Sequence, residues 1–187
     1  LYYNRASATP GEADAALMNT VCFDAMTLGN HEFDKGDTAL KAFIDLLHKD
    51  KTACNTPVLS ANVHFGANSA LNPSRAPGYV MPSVVVQRDG QNIGIVGLTV
   101  AGKTKESSSP DPDTTFEDEA TAAQRAIDAL KAQGVNKIIL LSHIGYEADQ
   151  AIVPKLSGVD VVVGGDSHTL LGPDSMKTYK AGTPAGP

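Results

Sequence analysis

An α/β fold is predicted by three observations. Short apolar runs alternate with segments of helical periodicity, two of those runs are continuous enough to be buried on both faces, and an Asp-Gly pair joins two β-rich runs as a hairpin. The alternation implies parallel strands linked by helices, and the hairpin adds an antiparallel pairing, so the expected sheet is mixed. At 187 residues there is room for one domain with a real core, and 42% hydrophobic with 19% charged residues is ordinary for a globular chain.

Residues 11–20 read as a helix, with Ala15, Ala16 and Met18 among good helix formers, and feed a strand over Ala25 to Leu28. A polar turn follows at Gly29 to Asp34. Asp37 is the expected N-cap of a helix reaching Lys49, in which Leu40, Phe43, Ile44 and Leu47 keep the spacing of a core-facing stripe. Pro57 to Asn62 is a short strand. Val63 to Gly78, rich in Asn, Pro, Ser and Gly, reads as a long excursion over the surface.

Val80 to Arg88 and Ile93 to Thr99 are the hairpin strands, turning at Asp89-Gly90. Ala101 to Thr115 reads as a second polar loop. Phe116, Ala120, Ala123, Ile127 and Leu130 stripe a helix that stops at Gly134. The last passage is β-α-β: Lys137 to Ser142 and Val159 to Val163 as buried strands around a helix over Tyr146 to Leu156, interrupted near Pro154. Thr178 to Pro187 is loop-like. The chain opens on Leu1-Tyr2-Tyr3-Asn4-Arg5 with no signal peptide, as though continuing from something longer.

A net charge of −6 with scattered lysines argues against a nucleic-acid polymer or an anionic membrane surface as partner, and the longest apolar run is too short to insert in a membrane. Cys22 and Cys54 have no zinc-ribbon spacing. Each precedes an expected strand, so both sulfurs fall near one end of the sheet, either as a disulfide or as two small buried hydrophobes.

The chemistry gathers at strand ends. Gly29-Asn30-His31-Glu32-Phe33-Asp34 follows the first strand directly, His143 follows Lys137 to Ser142, and Gly165-Asp166-Ser167-His168 follows Val159 to Val163. In an open α/β sheet the carboxyl ends of the strands form the ligand-binding rim. Gly-Asn is also ordinary turn chemistry, but histidines at three separate strand ends converge on one rim only if something there uses them. Asp34, three residues after His31, is placed to hold one ring nitrogen and aim the other at a substrate. His, Asp and Asn donors suit zinc, manganese, iron or cobalt. His48 and His64 read as surface residues.

Gly29-Asn30-His31-Glu32, a downstream His143 and the Gly165-x-Ser167-His168 turn resemble the calcineurin-like dinuclear metallophosphoesterases. The fuller strings Asp24 to Gly36, Val58 to Val63, Ile93 to Thr99 and Asp160 to Thr169 resemble its 5′-nucleotidase branch, in order and across nearly the whole chain. The resemblance implies an α/β sandwich of mixed sheets flanked by helices, two divalent metal ions, and hydrolysis of a small nucleotide phosphomonoester by a metal-activated water. It makes Asn30, His143 and Asp166 ligands of one metal and His168 a ligand of the other. His31 would stabilise charge on the phosphoryl group, with Asp34 orienting it. A periplasmic or secreted location is implied as well.

Two departures follow. The family commonly has His where this chain has Asp166, and its first two motifs, which carry the bridging aspartate, have no counterpart and would precede Leu1. Residues 1–187 are therefore expected to be a partial metallophosphoesterase domain that holds at most one metal by itself. Related expectations are a phosphodiesterase, a nucleotide-sugar hydrolase, or a catalytically inactive binding module.

Overall fold

A computed structural model describes residues 8–49 and 54–169; the expectations made for Leu1 to Arg5 and Thr178 to Pro187 lie outside the described residues. In chain order the elements are α1 (Glu12–Val21), β1 (Met26–Thr27), a 3-10 turn (His31–Phe33), α2 (Gly36–Leu47), β2 (Val58–Leu59), β3 (Val63–His64), β4 (Ser83–Arg88), β5 (Gln91–Thr99), α3 (Ala101–Ser107), β6 (Thr115–Phe116), α4 (Glu119–Ala132), β7 (Ile138–His143), α5 (Tyr146–Ile152), a second 3-10 turn (Val153–Lys155) and β8 (Val161–Val163).

The largest sheet is mixed, in the order β4-β5-β7-β8. β4 and β5 form the antiparallel hairpin, turning where Asp89 and Gly90 both take positive φ, as a two-residue turn matched to strand twist requires. β5, β7 and β8 run parallel, so their carboxyl ends open on one rim. On one face α4 buries Ala122, Ala123, Ala126, Ile127 and Leu130 against Val96, Leu98, Ile138 and Leu140. The other face carries the parallel pair β1 and β2. Two glycines of β5 mark the faces: a Cβ on Gly94 would strike Leu130 of α4, whereas one on Gly97 would strike Leu59 of β2. The layers are helix, mixed sheet and second sheet, the α/β sandwich that the sequence predicts.

A second core lies under α1 and α2, where Leu40, Ile44 and Leu47 pack with Leu28, Phe33, Phe65 and Phe116. Phe116 belongs to β6, paired antiparallel with β3, and not to the helical stripe; α4 begins three residues later, capped by the Asp118 carboxylate on the Thr121 amide. The segment read as a surface excursion contributes Phe65, Leu71 and Ala76 to this core. Its Asn, Pro and Gly residues shape turns around buried anchors.

Three further expectations are corrected. Asp37 is not the N-cap of α2; Lys35 holds that position, and Asp37 is fully buried in the first turn, accepting the Ser69 and Thr114 hydroxyls and the Asp111 amide. Residues 101–115 are not all loop, since α3 occupies the first half. β8 is not buried on both faces: it is an edge strand of three residues, with Val161 and Val163 about half exposed. His48 is half-buried, its Nε2 2.9 Å from the Thr56 carbonyl, and His64 pairs with Glu117 at the surface. The cysteine alternatives resolve as a disulfide, Cys22 to Cys54, joining the end of α1 to the segment before β2.

Glu117 links β6 to α4. The Arg125 guanidinium grips its carboxylate with both amino groups, and with the His64 ring it holds the carboxyl down at about 2. A depressed folded-state pKa stabilises the fold above the unfolded value, and this contribution fades as pH falls from 4.5 toward 2. Arg125→Met is expected to lower the denaturation midpoint at pH 7 and to leave it unchanged at pH 2, in urea titrations at the two pH values. An equal loss at both would assign the effect to packing.

Candidate active site

The first half of the site is the turn after β1. Phe33 and Asp34 donate their amides to the carbonyls of Asn30 and His31, winding the chain into a single 3-10 turn. The turn is held from below by the Phe33 ring, which is fully buried with its centroid 6.3 Å from that of Phe65 and 5.6 Å from that of Phe116. Glu32 folds back so that its carboxylate accepts the Gly29 amide at 2.7 Å. With Phe33 inward, His31 and Asp34 point outward. The His31 Nδ1 lies 2.9 Å from Asp34 Oδ2, and the imidazole side chain is 75% exposed.

The second half comes from β7 and the turn after β8. His143 ends β7, and its ring lies between two glycines: a Cβ on Gly29 would come within 2.6 Å of Nε2, and one on Gly165 within 3.2 Å of Nδ1. Any side chain at Gly29 would displace the imidazole. That close approach explains why a glycine precedes Asn30. Nε2 of His143 is 3.3 Å from Asn30 Oδ1 and 3.6 Å from Asp166 Oδ1. Burial lowers the His143 pKa below its usual value, opposed by the Asp166 charge. Asn30 is buried, and its Nδ2 has no partner among the described residues.

Asp166 has a φ of 74°, and the Ser167 amide donates to the Gly165 carbonyl across it. This is the strained, positive-φ form of the γ-turn. It sets the carboxylate toward His143, where the Lys103 ammonium, from the start of α3, also pairs with it. His168 is likewise at positive φ. It is exposed and lines a cavity of about 640 Å³ together with Asp166, Tyr146, Gln150 and Thr169; no hydrogen bond or ion pair among the described residues joins it to His143 or Asn30. Of the six residues singled out from the sequence, the structure joins Asn30, His143 and Asp166 by contacts around the His143 ring, pairs His31 with Asp34, and sets His168 in the cavity that Asp166 also lines.

Strand ends that bear a site must hold still, and here a buried polar network fixes them. The Asn62 side chain accepts the Thr99 amide at 3.0 Å and donates to the Thr99 carbonyl at 2.8 Å, while the Thr99 hydroxyl donates to the Leu28 carbonyl. Ser60 reaches both Asn62 and Thr99. β1, β2 and β5 are thereby locked together at the residues that precede the rim. Asn62 and Ser60 stand in the Val58 to Val63 string but were given no role from sequence. Glu32 and Lys103 were missed as well: Glu32 sits inside the quoted motif, whereas nothing in the lysine's surroundings along the chain announces its partner.

Three oxygen and nitrogen donors converge here: an amide oxygen, an imidazole nitrogen and a carboxylate oxygen. Such a set suits a divalent ion of borderline hardness, and the separations of 3.3 Å from His143 to the Asn30 oxygen and 3.6 Å to the Asp166 oxygen fit a group that takes contacts from all three. Among the described residues no group of three or more His, Cys, Asp or Glu side chains is arranged around a common point.

This is the rim of a calcineurin-like metallophosphoesterase sandwich. Comparison with known proteins agrees. The chain is 49% identical over 166 residues to the "Probable 5′-nucleotidase" of Treponema pallidum and 46% identical over 170 residues to the NAD 5′-nucleotidase of Haemophilus influenzae, covering 89% and 91% of this chain and 26% of either relative. The crystal structure of a 5′-nucleotidase precursor from Thermus thermophilus superposes with a TM-score of 0.80 at 41% identity, over 98% of this chain and 33% of that one. No family model matches the chain. Over the stretch it shares with them, the chain is a homologue of proteins named 5′-nucleotidases, and it spans about a quarter of the length of the curated relatives it matches.

Proposed function

We propose that this chain supplies part of the catalytic domain of a metal-dependent phosphatase that releases phosphate from nucleoside 5′-phosphates. One observation carries this assignment: the His31–Asp34 pair stands on the same rim as the Asn30, His143 and Asp166 donors. Asn30, His143 and Asp166 would hold one divalent ion, of zinc, manganese, iron or cobalt type, and His168 would contribute to a second. When bound, the ions neutralise phosphate charge and make a water nucleophilic.

The chain's own residues do the rest. Asp34 engages Nδ1 of His31, which leaves Nε2 as the ring atom facing a substrate; in the protonated ring it donates to a phosphoryl oxygen as charge builds there. Exposure of His31 is what a group meeting an incoming ligand requires. Lys103 adds a positive charge beside a site otherwise weighted with carboxylates, in a chain of net charge −6. The name of the Haemophilus influenzae relative favours a second substrate class, dinucleotides such as NAD. A disulfide fits an oxidising compartment, and we place the protein outside the cytoplasm on that ground.

The expected result is metal-dependent phosphate release. The protein carrying this chain should free phosphate from AMP, lose the activity on exposure to a chelator, and regain it on adding manganese or zinc. Comparing AMP with NAD sorts the substrate classes. Activity that survives complete metal removal would overturn the mechanism, and absence of hydrolysis with metal bound would leave an inactive binding module.

A further inference from the structure

The segment after α3 runs back past the His31 turn and is fastened to that turn and to the start of α2. The Ser109 amide donates to the Phe33 carbonyl at 3.1 Å, while the Asp111 and Asp37 backbone amides each reach the other's side chain. Immediately before these fastenings stands Ser108, the residue that caps α3 with its amide on the Thr104 carbonyl. Its hydroxyl donates to Asp34 Oδ1 at 2.9 Å, and the other oxygen of the same carboxylate takes the His31 ring at 2.9 Å.

We infer that Ser108 is a positioning residue for the His31–Asp34 pair, the third member of a chain Ser108–Asp34–His31; this rests on the function proposed above. The physical need is clear from exposure. The Asp34 side chain is 42% exposed, so water and rotation about its own bonds compete with its grip on His31. A hydroxyl fixed at the end of a helix occupies one oxygen and selects the rotamer in which the other faces Nδ1. The backbone latches at Ser109 and Asp111 hold that hydroxyl in place without themselves touching the pair. Among the described residues no hydrogen bond joins Ser108 to the candidate metal donors or to the His31 ring, so its influence passes through Asp34.

The test compares variants of the metal-loaded protein with AMP as substrate, reading kcat, KM, metal content and thermal midpoint. Ser108→Ala is expected to lower kcat about tenfold, the equivalent of one hydrogen bond to a charged group, with KM, metal content and midpoint nearly unchanged. Ser108→Thr, which keeps the hydroxyl, should restore kcat. In an Asp34→Ala background, Ser108→Ala should cause no additional loss, because the group it acts through is gone. Wild-type kcat in Ser108→Ala, an undiminished effect of Ser108→Ala when Asp34 is absent, or a loss that tracks a fall in the midpoint would each overturn the inference. If His31→Ala itself leaves kcat intact, the proposed function fails first, and the two failures are told apart by that single variant.

Discussion

His31→Ala is expected to lower turnover of AMP by about a hundredfold or more while metal content stays nearly intact. The expectation follows from where the ring sits. Its Nδ1 is taken by Asp34, the side chain is mostly exposed on the rim, and it belongs to a turn anchored by the buried Phe33 below it. Removal of the ring leaves that anchor, the Glu32 bond to the Gly29 amide and the Asn30–His143 contact untouched. Fold and metal site should therefore survive, and the lost free energy should appear in kcat more than in KM, as for a contact strongest in the transition state. Steady-state kinetics with metal analysis of the same sample decides it. A variant that loses its metal or unfolds would show that His31 is a ligand or a structural residue.

The largest loss of stability is expected from Asp37→Ala. This carboxylate is fully buried and accepts the Ser69 hydroxyl, the Thr114 hydroxyl and the Asp111 amide, drawing together segments 32 and 77 residues away along the chain. Alanine would strand all three donors without water, at about 1 kcal/mol or more each, so roughly 3 kcal/mol or more should be lost in urea denaturation. Asp37→Asn keeps an acceptor and should lose about half as much. A loss below about 1 kcal/mol for alanine would mean that water or a neighbouring group takes over the donors.

The same residue shows where sequence stops being legible. A carboxylate just ahead of a hydrophobic stripe is the sign of an N-cap, and Leu40, Ile44 and Leu47 did turn inward as their spacing implies. What makes Asp37 a buried hub is a pair of hydroxyls far away in the chain, and no local pattern carries that information. α3 was hidden for a different reason: seven residues are too few to display a helical period. The valines of Val161 to Val163 suggested burial on both faces, yet burial depends on having neighbours on both sides, and among the described residues β8 pairs with β7 alone. The hairpin was legible because Asp89-Gly90 settles its geometry within two residues.

For the site, the rim was visible because polar residues stood directly after apolar runs. Sequence placed Asn30, His143 and Asp166 at three strand ends, and chain topology brings these ends together. It could not foresee the positive φ at Asp166 and His168 in the turn that brings the Asp166 carboxylate to His143. Nor could it foresee Ser108 and Lys103, whose partners lie 74 and 63 residues distant.

The Cys22–Cys54 bond closes a ring that contains β1, the His31 turn and all of α2, whereas His143 and Asp166 come from strands outside it. The site is thus assembled across a seam between a covalently closed loop and an open chain. By loop-closure arithmetic, a ring of this size costs the unfolded chain roughly 3–4 kcal/mol of conformational freedom. The ring restrains the unfolded chain around β1, the His31 turn and α2, so its contribution falls on the half of the rim that lies inside it. Reduction is expected to remove that contribution, which makes the thiol chemistry of the environment a determinant of how firmly the rim is held.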